Sequence, residues 1–202
     1  MIIGITGGIG SGKSTIVRAL AARGFATYDC DREAKRLAEE NTEVREAIIV
    51  LLGEEAFANG RYNTPYVAKR VFADPVLLER LNAIIHPAVI RDIKEQNILT
   101  NQPFLFVESA ILFEAGMDAL CDKILVIDAP EEIRITRTIN RDYHGIASQE
   151  NINKVRARIA AQKKSPAPTE VSQGMISVII NDGKRPINDL VNDIVNQYCA
   201  AS

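Results

Sequence analysis

The sequence predicts an α/β fold, in which helices cover both faces of a parallel sheet and two helical excursions extend from this core. Three observations predict this fold. Residues 1–6, 103–108 and 123–128 are continuous apolar runs, as in strands that are buried on both faces of a sheet. Segments with helical spacing of apolar residues alternate with these runs. A glycine-rich stretch directly follows the first run and so links a strand to a helix.

The other elements follow from apolar spacing and from capping residues. In chain order they are a helix over residues 14–23, a strand over residues 25–29, helical structure over residues 31–100, helices over residues 130–141 and 149–164, a strand over residues 176–180 and a helix over residues 186–198. Gly24 suits the end of the first helix. Thr64 and Asp74 each precede a proline, and both are predicted to cap helices. The segment SPAPT, residues 165–169, breaks the helical pattern.

Composition excludes several classes of protein. The 202 residues carry 24 Lys and Arg against 26 Asp and Glu, a net charge of −2, which argues against a surface that neutralises nucleic acid. No apolar run approaches the roughly 18 residues that span a bilayer, and the N-terminal run is too short for a signal peptide. Cys30, Cys121 and Cys199 fit neither a disulfide framework nor a metal site. We expect a cytoplasmic protein, monomeric or weakly self-associating, without nucleic-acid or membrane partners.

The glycine-rich stretch matches a phosphate-binding loop. Gly7, Gly12, Lys13 and Ser14 fit the pattern GxxxxGK[ST] between a strand and a helix. Glycines let backbone N–H groups approach the phosphates of a nucleotide, and the following helix directs the positive end of its dipole at them. Lys13 is expected to reach the β- and γ-phosphates and Ser14 to ligate Mg²⁺. The residues expected to contact the nucleotide are Gly8, Ile9, Gly10, Ser11, Gly12, Lys13, Ser14 and Thr15. The alternative is a turn that merely links the strand to the helix.

The loop predicts nucleotide binding but not the fate of the γ-phosphoryl group. Guanine-nucleotide switch proteins carry an NKxD motif. Here Asn153 and Lys154 continue with Val155 and Arg156, so a guanine switch is disfavoured.

Four acidic residues are candidates for contacts with substrate or metal. Asp29 and Asp31 close the second strand, and in an extended chain they project to the same side, toward the sheet edge where ligands bind. One of them can accept the proton of a substrate hydroxyl or hold Mg²⁺ through water. Alternatively, Asp31 caps the next helix and Asp29 is solvated. Glu108 ends a strand, where a carboxylate can support Mg²⁺ through water, and Glu114 contacts substrate or caps a loop.

Arginines recur on two predicted helices. Arg134, Arg137 and Arg141 share one face of the first helix. The second helix carries Arg156, Arg158, Gln162 and Lys163. Two such helices suit a lid that excludes water and neutralises charge on a transferred group. Solvated helix faces also carry arginines, and the phosphate-binding loop is what favours the lid.

Two short segments complete the set of candidates. His86 precedes Pro87 in an apolar stretch, where a histidine is more often a core or capping group than a catalyst. Asn181, Asp182 and Gly183 follow the last strand and predict a tight turn, which is a candidate border for an adenine base.

Together these motifs resemble the dephospho-coenzyme A (dephospho-CoA) kinase family. The matching stretches, in family order and over nearly the whole chain, are IGITGGIGSGKST, YDCDREA, LNAIIHPAV, AILFEAG, RxxxRD at residues 137–142, RARIAAQ at residues 156–162 and IINDG at residues 179–183. Many proteins share the phosphate-binding loop, whereas the HP, LFE and RxRIxxQ elements together are specific.

The resemblance implies a P-loop kinase fold and the ATP-dependent phosphorylation of the ribose 3′-hydroxyl of dephospho-CoA, with Mg²⁺. The implied roles are catalysis by Asp31 as base with Lys13 and Arg141, substrate binding by Asp29, His86 and Glu114, ATP binding by Arg137, Asn181 and Gly183 beside the loop residues, and metal binding by Ser14 and Glu108. The implied layout is a core of residues 1–30, 101–136 and 169–202, a substrate-binding insertion of residues 31–100 and a lid of residues 137–168.

One departure and two alternatives accompany this resemblance. The family usually has an Asp/Asn-Arg pair where this chain has Asn63 and Thr64, and Arg61 and Arg70 are the candidate replacements for the missing charge. The alternatives are another small-molecule or nucleotide kinase with the same core, and a nucleotide-dependent binding module that hydrolyses ATP slowly.

Overall fold

The computed structural model describes residues 1–162 and 175–199, and it divides into two compact units. The first unit contains residues 1–27 and 102–202, and the second contains residues 28–101. The strands are β1 (Ile2–Thr6), β2 (Ala26–Asp29), β3 (Phe57–Ala58), β4 (Arg61–Tyr62), β5 (Leu105–Glu108), β6 (Lys123–Asp128) and β7 (Ile176–Ile180). The helices are α1 (Lys13–Ala22), α2 (Cys30–Glu40), α3 (Thr42–Leu52), α4 (Thr64–Phe72), α5 (Pro75–Leu99), α6 (Glu131–Asp142), α7 (Gln149–Gln162) and α8 (Ile187–Cys199).

Five strands form one sheet in the order β2-β5-β1-β6-β7. β1 is parallel to both β5 and β6, and β6 is parallel to β7. This sheet confirms the predicted α/β fold. Because parallel strands end at the same edge, the loops after β1, β5 and β6 meet there, and ligands of open α/β sheets bind at this edge.

The core of the first unit packs side chains of β1, β5 and β6 against α1 and α8. Its buried members are Ile3, Ile5, Ile16, Val17, Leu20, Phe104, Phe106, Leu125, Ile127, Leu190, Val191, Ile194 and Tyr198. Each large apolar side chain buried in this way contributes about 1.5–3 kcal/mol. The core therefore fixes β1 and α1 and with them the loop that joins them. Helices α6 and α7 share a smaller core of Ile135, Ile139, Val155 and Ile159.

The second unit is mainly helical and contains a buried polar network. The Tyr28 hydroxyl donates to Asp92 Oδ2 at 2.6 Å, and Arg36 donates to the same oxygen at 2.8 Å. Burial and then the hydrogen bond to Asp92 raise the pKa of Tyr28. This network ties α2 to α5, so the position of α2 within the unit is set by hydrogen bonds as well as by apolar packing.

The region predicted to stay helical is interrupted by an antiparallel hairpin of β3 and β4. Its turn contains Asn59 and Gly60, both with positive φ, which is typical of a hairpin turn. Arg45 supports the hairpin, since it donates to Gly60 O at 3.0 Å and its guanidinium lies 4.0 Å from the centre of the Phe57 ring. A strand of two residues is too short to show the alternation of apolar and polar side chains that identifies a strand in a sequence.

Of the two helix caps predicted for this unit, one is confirmed and the other is wrong. Asp74 accepts hydrogen bonds from Val76 N–H and Leu77 N–H and caps α5, as predicted. The predicted cap of α4, Thr64, is wrong, because the side chain of Asn63 caps this helix and Thr64 is its first residue.

The remaining predicted elements are found with small shifts at their ends. β6 and β7 have the predicted bounds, and β5 begins at Leu105 rather than at residue 103. Residues 163–174, which include Lys163 and SPAPT, lie outside the described part of the chain. Within the described part, no helix has both the length and the hydrophobicity that crossing a membrane requires. The side chains of Cys30 and Cys121 are buried.

Candidate active site

The loop between β1 and α1 is packed so closely that its glycines are required. Gly7 and Gly10 have positive φ angles of 145° and 77°. A Cβ atom would lie 2.0 Å from Ile127 O if added to Gly7, and 2.4 Å from Arg134 O if added to Gly10. Both neighbours are backbone atoms, which cannot turn aside as a flexible side chain can. The sequence therefore keeps a bare backbone here, which leaves room for an anion to approach the start of α1.

Lys13 begins α1, and its side chain folds back over the loop. It is 8% exposed, and Nζ donates to Gly7 O at 2.8 Å and to Gly8 O at 3.2 Å. Phosphate oxygens are stronger, charge-assisted acceptors than peptide carbonyls. The ammonium is thus held ready to exchange these carbonyls for the phosphates of a nucleotide.

Ser14 and Glu108, the predicted metal ligands, are brought together. Ser14 Oγ donates to Glu108 Oε1 at 2.7 Å, which joins the first turn of α1 to the end of β5. A hydroxyl and a carboxylate are oxygen ligands of the kind that Mg²⁺ prefers. Among residues 1–162 and 175–199, no group of three or more His, Cys, Asp and Glu side chains is arranged to hold a metal ion. Mg²⁺ usually takes one or two protein ligands together with water and substrate phosphates, and this pair fits that pattern.

A cavity of about 480 Å³ opens over the loop, and its size is typical of a small-molecule site. Its described lining residues are Gly10, Gly12, Lys13, Ser14, Thr15, Arg18, Arg137, Arg141, Asn181 and Ile187. Four of these described residues are cationic and none is acidic. Cations that converge on one cleft favour a polyanionic ligand, so this cavity suits the phosphates of a nucleotide.

Asn181, in the loop after β7, connects that loop to the phosphate-binding loop. Its Nδ2 donates to Ser11 O at 2.8 Å, and its backbone N–H donates to Asp128 O at 2.7 Å. Arg137 donates to Asn181 O at 3.0 Å and to Ser11 O at 3.3 Å. The predicted ATP contacts Arg137 and Asn181 therefore lie side by side. Gly183 is exposed, and Arg137 Nη2 lies 3.6 Å from the position of a Cβ on it.

Arg141 lines the same cavity, but its guanidinium is bound by its neighbour. Its Nε donates to Asp142 Oδ1 at 2.7 Å, and Arg158 donates to Asp142 Oδ2 at 2.6 Å. The hydrogen bond from Arg141, followed by that from Arg158, lowers the pKa of Asp142 to about 2. The Arg141 side chain is 60% exposed, and exposed ion pairs are weak. A phosphate can therefore replace Asp142 at small cost.

A second cavity, of about 220 Å³, brings Glu114 to the loop. Its described lining residues are Thr6, Gly7, Gly8, Ala110, Phe113, Glu114, Val126, Arg134, Ile159 and Gln162. The lining is largely apolar with a few polar side chains. Such a lining suits an organic group that carries hydroxyls.

Asp29, Asp31 and His86 belong to the second unit. Asp29 caps α2 by accepting a hydrogen bond from Arg32 N–H at 3.0 Å, and Asp31 is exposed in the first turn of this helix. The prediction that both acids project from one side of an extended strand is wrong, because α2 already begins at Cys30. The alternative that Asp31 is the cap is also wrong. His86 is half-buried in α5, and burial lowers its pKa.

The sequence assigned no role to Arg18 and Ile187, which line the larger cavity, whereas Arg134 and Gln162, which line the smaller one, lie on the two helices from which the lid was predicted. Arg18 follows Ser14 by one helical turn, and its Nε donates to Ser14 O at 3.1 Å. That spacing is visible in the sequence. Arg134 shares a helix face with Arg137 and Arg141, but its contact with the loop depends on tertiary packing that no spacing reveals.

Comparison with known proteins relates this chain to one family. The family model for dephospho-CoA kinase matches residues 1–184. Dephospho-CoA kinase of Salinibacter ruber is 36% identical over 204 residues, which cover 99% of this chain and 97% of that protein. The dephospho-CoA kinase of Bacteroides fragilis is 31% identical over 194 residues, which cover 96% of this chain and 90% of that protein.

Solved structures agree with the fold. The crystal structure of a Thermus thermophilus protein matches with a TM-score of 0.75 and 32% identity, covering 98% of this chain and 97% of that one. Shikimate kinase from Acinetobacter baumannii matches with a TM-score of 0.57 and 14% identity, covering 100% and 94%, which shows a shared fold alone. Because the family model spans residues 1–184 and the curated relatives align over nearly their full length, the chain belongs to the dephospho-CoA kinase family.

Proposed function

We propose that this chain transfers the γ-phosphoryl group of ATP to the 3′-hydroxyl of the ribose of dephospho-CoA, giving CoA and ADP. This is the activity of its family and the final step of CoA synthesis. The observation that carries the proposal is the cationic cavity over the phosphate-binding loop, in a chain whose family match spans residues 1–184.

The triphosphate is proposed to bind at the start of α1. The backbone N–H groups of the glycine-rich loop and the helix dipole favour phosphate there. Lys13 exchanges its bonds to Gly7 O and Gly8 O for phosphate oxygens. Arg137 and Asn181, which are joined by hydrogen bonds, border the base-binding side of the cavity.

Ser14 and Glu108 are the residues proposed to hold Mg²⁺, directly and through water. Mg²⁺ held by these two residues would supply positive charge that offsets the negative charge of the phosphates. The hydrogen bond between the two side chains at 2.7 Å keeps both oxygens at one place before any ligand binds.

Asp31 is proposed as the general base. The ribose 3′-oxygen attacks the γ-phosphorus, the bond between this phosphorus and the β,γ-bridging oxygen breaks, and the hydroxyl proton passes to the Asp31 carboxylate. The exposed carboxylate of Asp31 in the first turn of α2 supports this role. Lys13 and Arg141 stabilise the charge on the transferred group, and Arg141 leaves Asp142 to do so.

The acceptor is proposed to contact Asp29, His86 and Glu114. Glu114 lies in the wall of the 220 Å³ cavity beside Gly7 and Gly8, which supports a contact with the acceptor sugar.

Residues 31–100 are proposed as the substrate-binding insertion and residues 137–168 as the lid. Of the candidates for the missing family arginine, Arg70 is held near Tyr66, whose hydroxyl accepts from it at 3.1 Å.

The site of action is proposed to be the cytoplasm, where the buried thiols of Cys30 and Cys121 stay reduced. We also propose a monomer or a weakly associating homo-oligomer, which light scattering after size-exclusion chromatography tests.

An acceptor panel tests the function. ATP and Mg²⁺ are offered with dephospho-CoA, a nucleoside monophosphate or shikimate, and ADP release is followed. ADP release that depends on dephospho-CoA is expected. ADP release with only another acceptor would indicate a kinase with a different substrate. ADP release that requires a protein partner would favour a nucleotide-dependent binding module.

A further inference from the structure

The backbone of Ile9, within the phosphate-binding loop, is held from both sides by side chains of α6 and α7. Arg134 Nε donates to Ile9 O at 2.9 Å. The Ile9 N–H donates to Gln162 Oε1 at 2.7 Å. Both partners come from the helical hairpin far along the chain, so the loop conformation depends on where that hairpin packs.

Arg134 is built into this position. It is 8% exposed, and its backbone carbonyl accepts a hydrogen bond from Thr138 Oγ1 at 2.7 Å. A Cβ on Gly8 would lie 2.1 Å from Arg134 Nη2, so the guanidinium occupies the space that a side chain on Gly8 would need. Burying a guanidinium is costly unless it is paired or hydrogen-bonded. The bond to Ile9 is one compensation for this burial, and it ties the charge to the loop.

We propose that Arg134 and Gln162 are positioning residues that clamp the Ile9 backbone and hold the loop in the conformation that receives the ATP phosphates. A loop with glycine at positions 7, 8, 10 and 12 loses much backbone freedom when it becomes ordered. A clamp that orders the loop beforehand removes that cost from ATP binding. The inference rests on the proposed function only in that the loop binds ATP.

The same two side chains also line the 220 Å³ cavity, so they have a second conceivable role. A direct contact with the acceptor would change acceptor binding and leave ATP binding as it is. The clamp acts on ATP binding whether or not an acceptor is present. Binding of a nucleotide alone therefore separates the two roles.

The test is calorimetry of the full chain with Mg²⁺ and a non-hydrolysable ATP analogue, without acceptor. Arg134→Met and Gln162→Met each remove one clamp bond and keep most of the side-chain volume. Each is expected to raise Kd about 10-fold, which corresponds to the loss of one well-placed hydrogen bond. The double variant is expected to raise Kd by less than the product of the two single-variant increases. Loss of either hydrogen bond alone already releases the loop from the clamp, so the two effects are not independent.

Gln197→Met is the matched control. Gln197 is on α8, away from every proposed contact with ATP or acceptor, and its side chain donates to Ser177 Oγ at 2.7 Å on an exposed surface. The Kd of this variant is expected to stay within about 2-fold of wild type, since exposed substitutions have small effects. If Arg134→Met does not fold, as judged by circular dichroism, Gln162→Met carries the test.

Two results would overturn the clamp: a Kd for the nucleotide that is unchanged in Gln162→Met, or a loss confined to the KM of dephospho-CoA. Wild-type turnover of dephospho-CoA is measured separately. A chain that binds the ATP analogue but does not phosphorylate dephospho-CoA contradicts the proposed function, while the clamp is still judged by the binding data.

Discussion

Replacing Gly10 by alanine tests whether the packing of α6 against the phosphate-binding loop controls activity. Gly10 has φ of 77°, and a Cβ there would lie 2.4 Å from Arg134 O and 2.8 Å from Thr138 Oγ1. The left-handed conformation costs an alanine about 1–2 kcal/mol. The clash with the helix backbone then requires the loop itself to move. A displacement of about 1 Å at a catalytic site can reduce the rate about 100-fold, and we expect kcat/KM to fall by that amount.

Gly24→Ala is the matched control, because it carries the same backbone strain without the clash. Gly24 has φ of 86°, and among the described residues nothing apart from its chain neighbours lies within 4 Å of the position of its Cβ. The strain of about 1–2 kcal/mol is expected to lower Tm by about 2–8 °C in a chain of this size. Since Gly24 is beyond the C-terminal end of α1, kcat/KM is expected to stay within about 2-fold of wild type.

The assay is steady-state ADP formation with ATP, Mg²⁺ and dephospho-CoA, combined with thermal unfolding of both variants. If Gly10→Ala keeps more than half of the wild-type kcat/KM, the packing of α6 against the loop does not control activity. If Gly24→Ala loses as much activity as Gly10→Ala, backbone strain alone explains the loss.

Three further predictions concern single charged groups. Lys13→Ala should reduce kcat/KM by at least about 100-fold in the same assay, since it removes the cation at the phosphates; milder loss would contradict the role of Lys13. Asp31→Asn should lower kcat about 100-fold or more and leave the Kd of ATP within about 2-fold, and near-normal turnover would show that Asp31 is not the base. Asp142→Asn should lower the free energy of unfolding by about 1 kcal/mol at neutral pH, after allowance for solvent screening of its bonds to Arg141 and Arg158. Because the pKa of Asp142 is depressed from 3.8 to about 2 in the folded chain, this stabilisation is present above about pH 4 and is lost as pH falls toward 2. Urea unfolding at several pH values checks this, and a pH-independent difference would count against it.

The sheet could be predicted from the sequence because its signal is local and strong. β6 and β7 are apolar runs with sharp ends, and the predicted bounds are the observed ones. The loop of Gly7–Ser14 was equally clear, since a bare backbone between a strand and a helix has few other uses. These features depend on residues that are neighbours in the chain.

The start of α2 shows where sequence reasoning failed. The sequence predicted either that Asp29 and Asp31 project from one side of an extended chain or that Asp31 caps the next helix, and local propensity does not fix where that helix begins. In the structure Asp29 caps the helix, so the two acids do not share one side of a strand. The residue at which β2 ends depends on tertiary packing, and tertiary packing cannot be read from a single sequence.

The contacts of Arg134 and Gln162 could not be predicted at all. Each lies on a helix where arginine and glutamine are ordinary surface residues, and their hydrogen bonds with Ile9 join positions more than a hundred residues apart. The hairpin β3–β4 was missed for a different reason, because two-residue strands leave no periodic signal.

The position of the phosphate in the product distinguishes phosphorylation of the ribose 3′-hydroxyl of dephospho-CoA from the alternative activities. The chain is incubated with ATP, Mg²⁺ and dephospho-CoA, and the product is analysed by phosphorus NMR and mass spectrometry. We expect one new phosphate monoester on the ribose 3′-oxygen, formed in equal amount to ADP. Inorganic phosphate without a phosphorylated acceptor, or a phosphate at any other position, would contradict the proposed function.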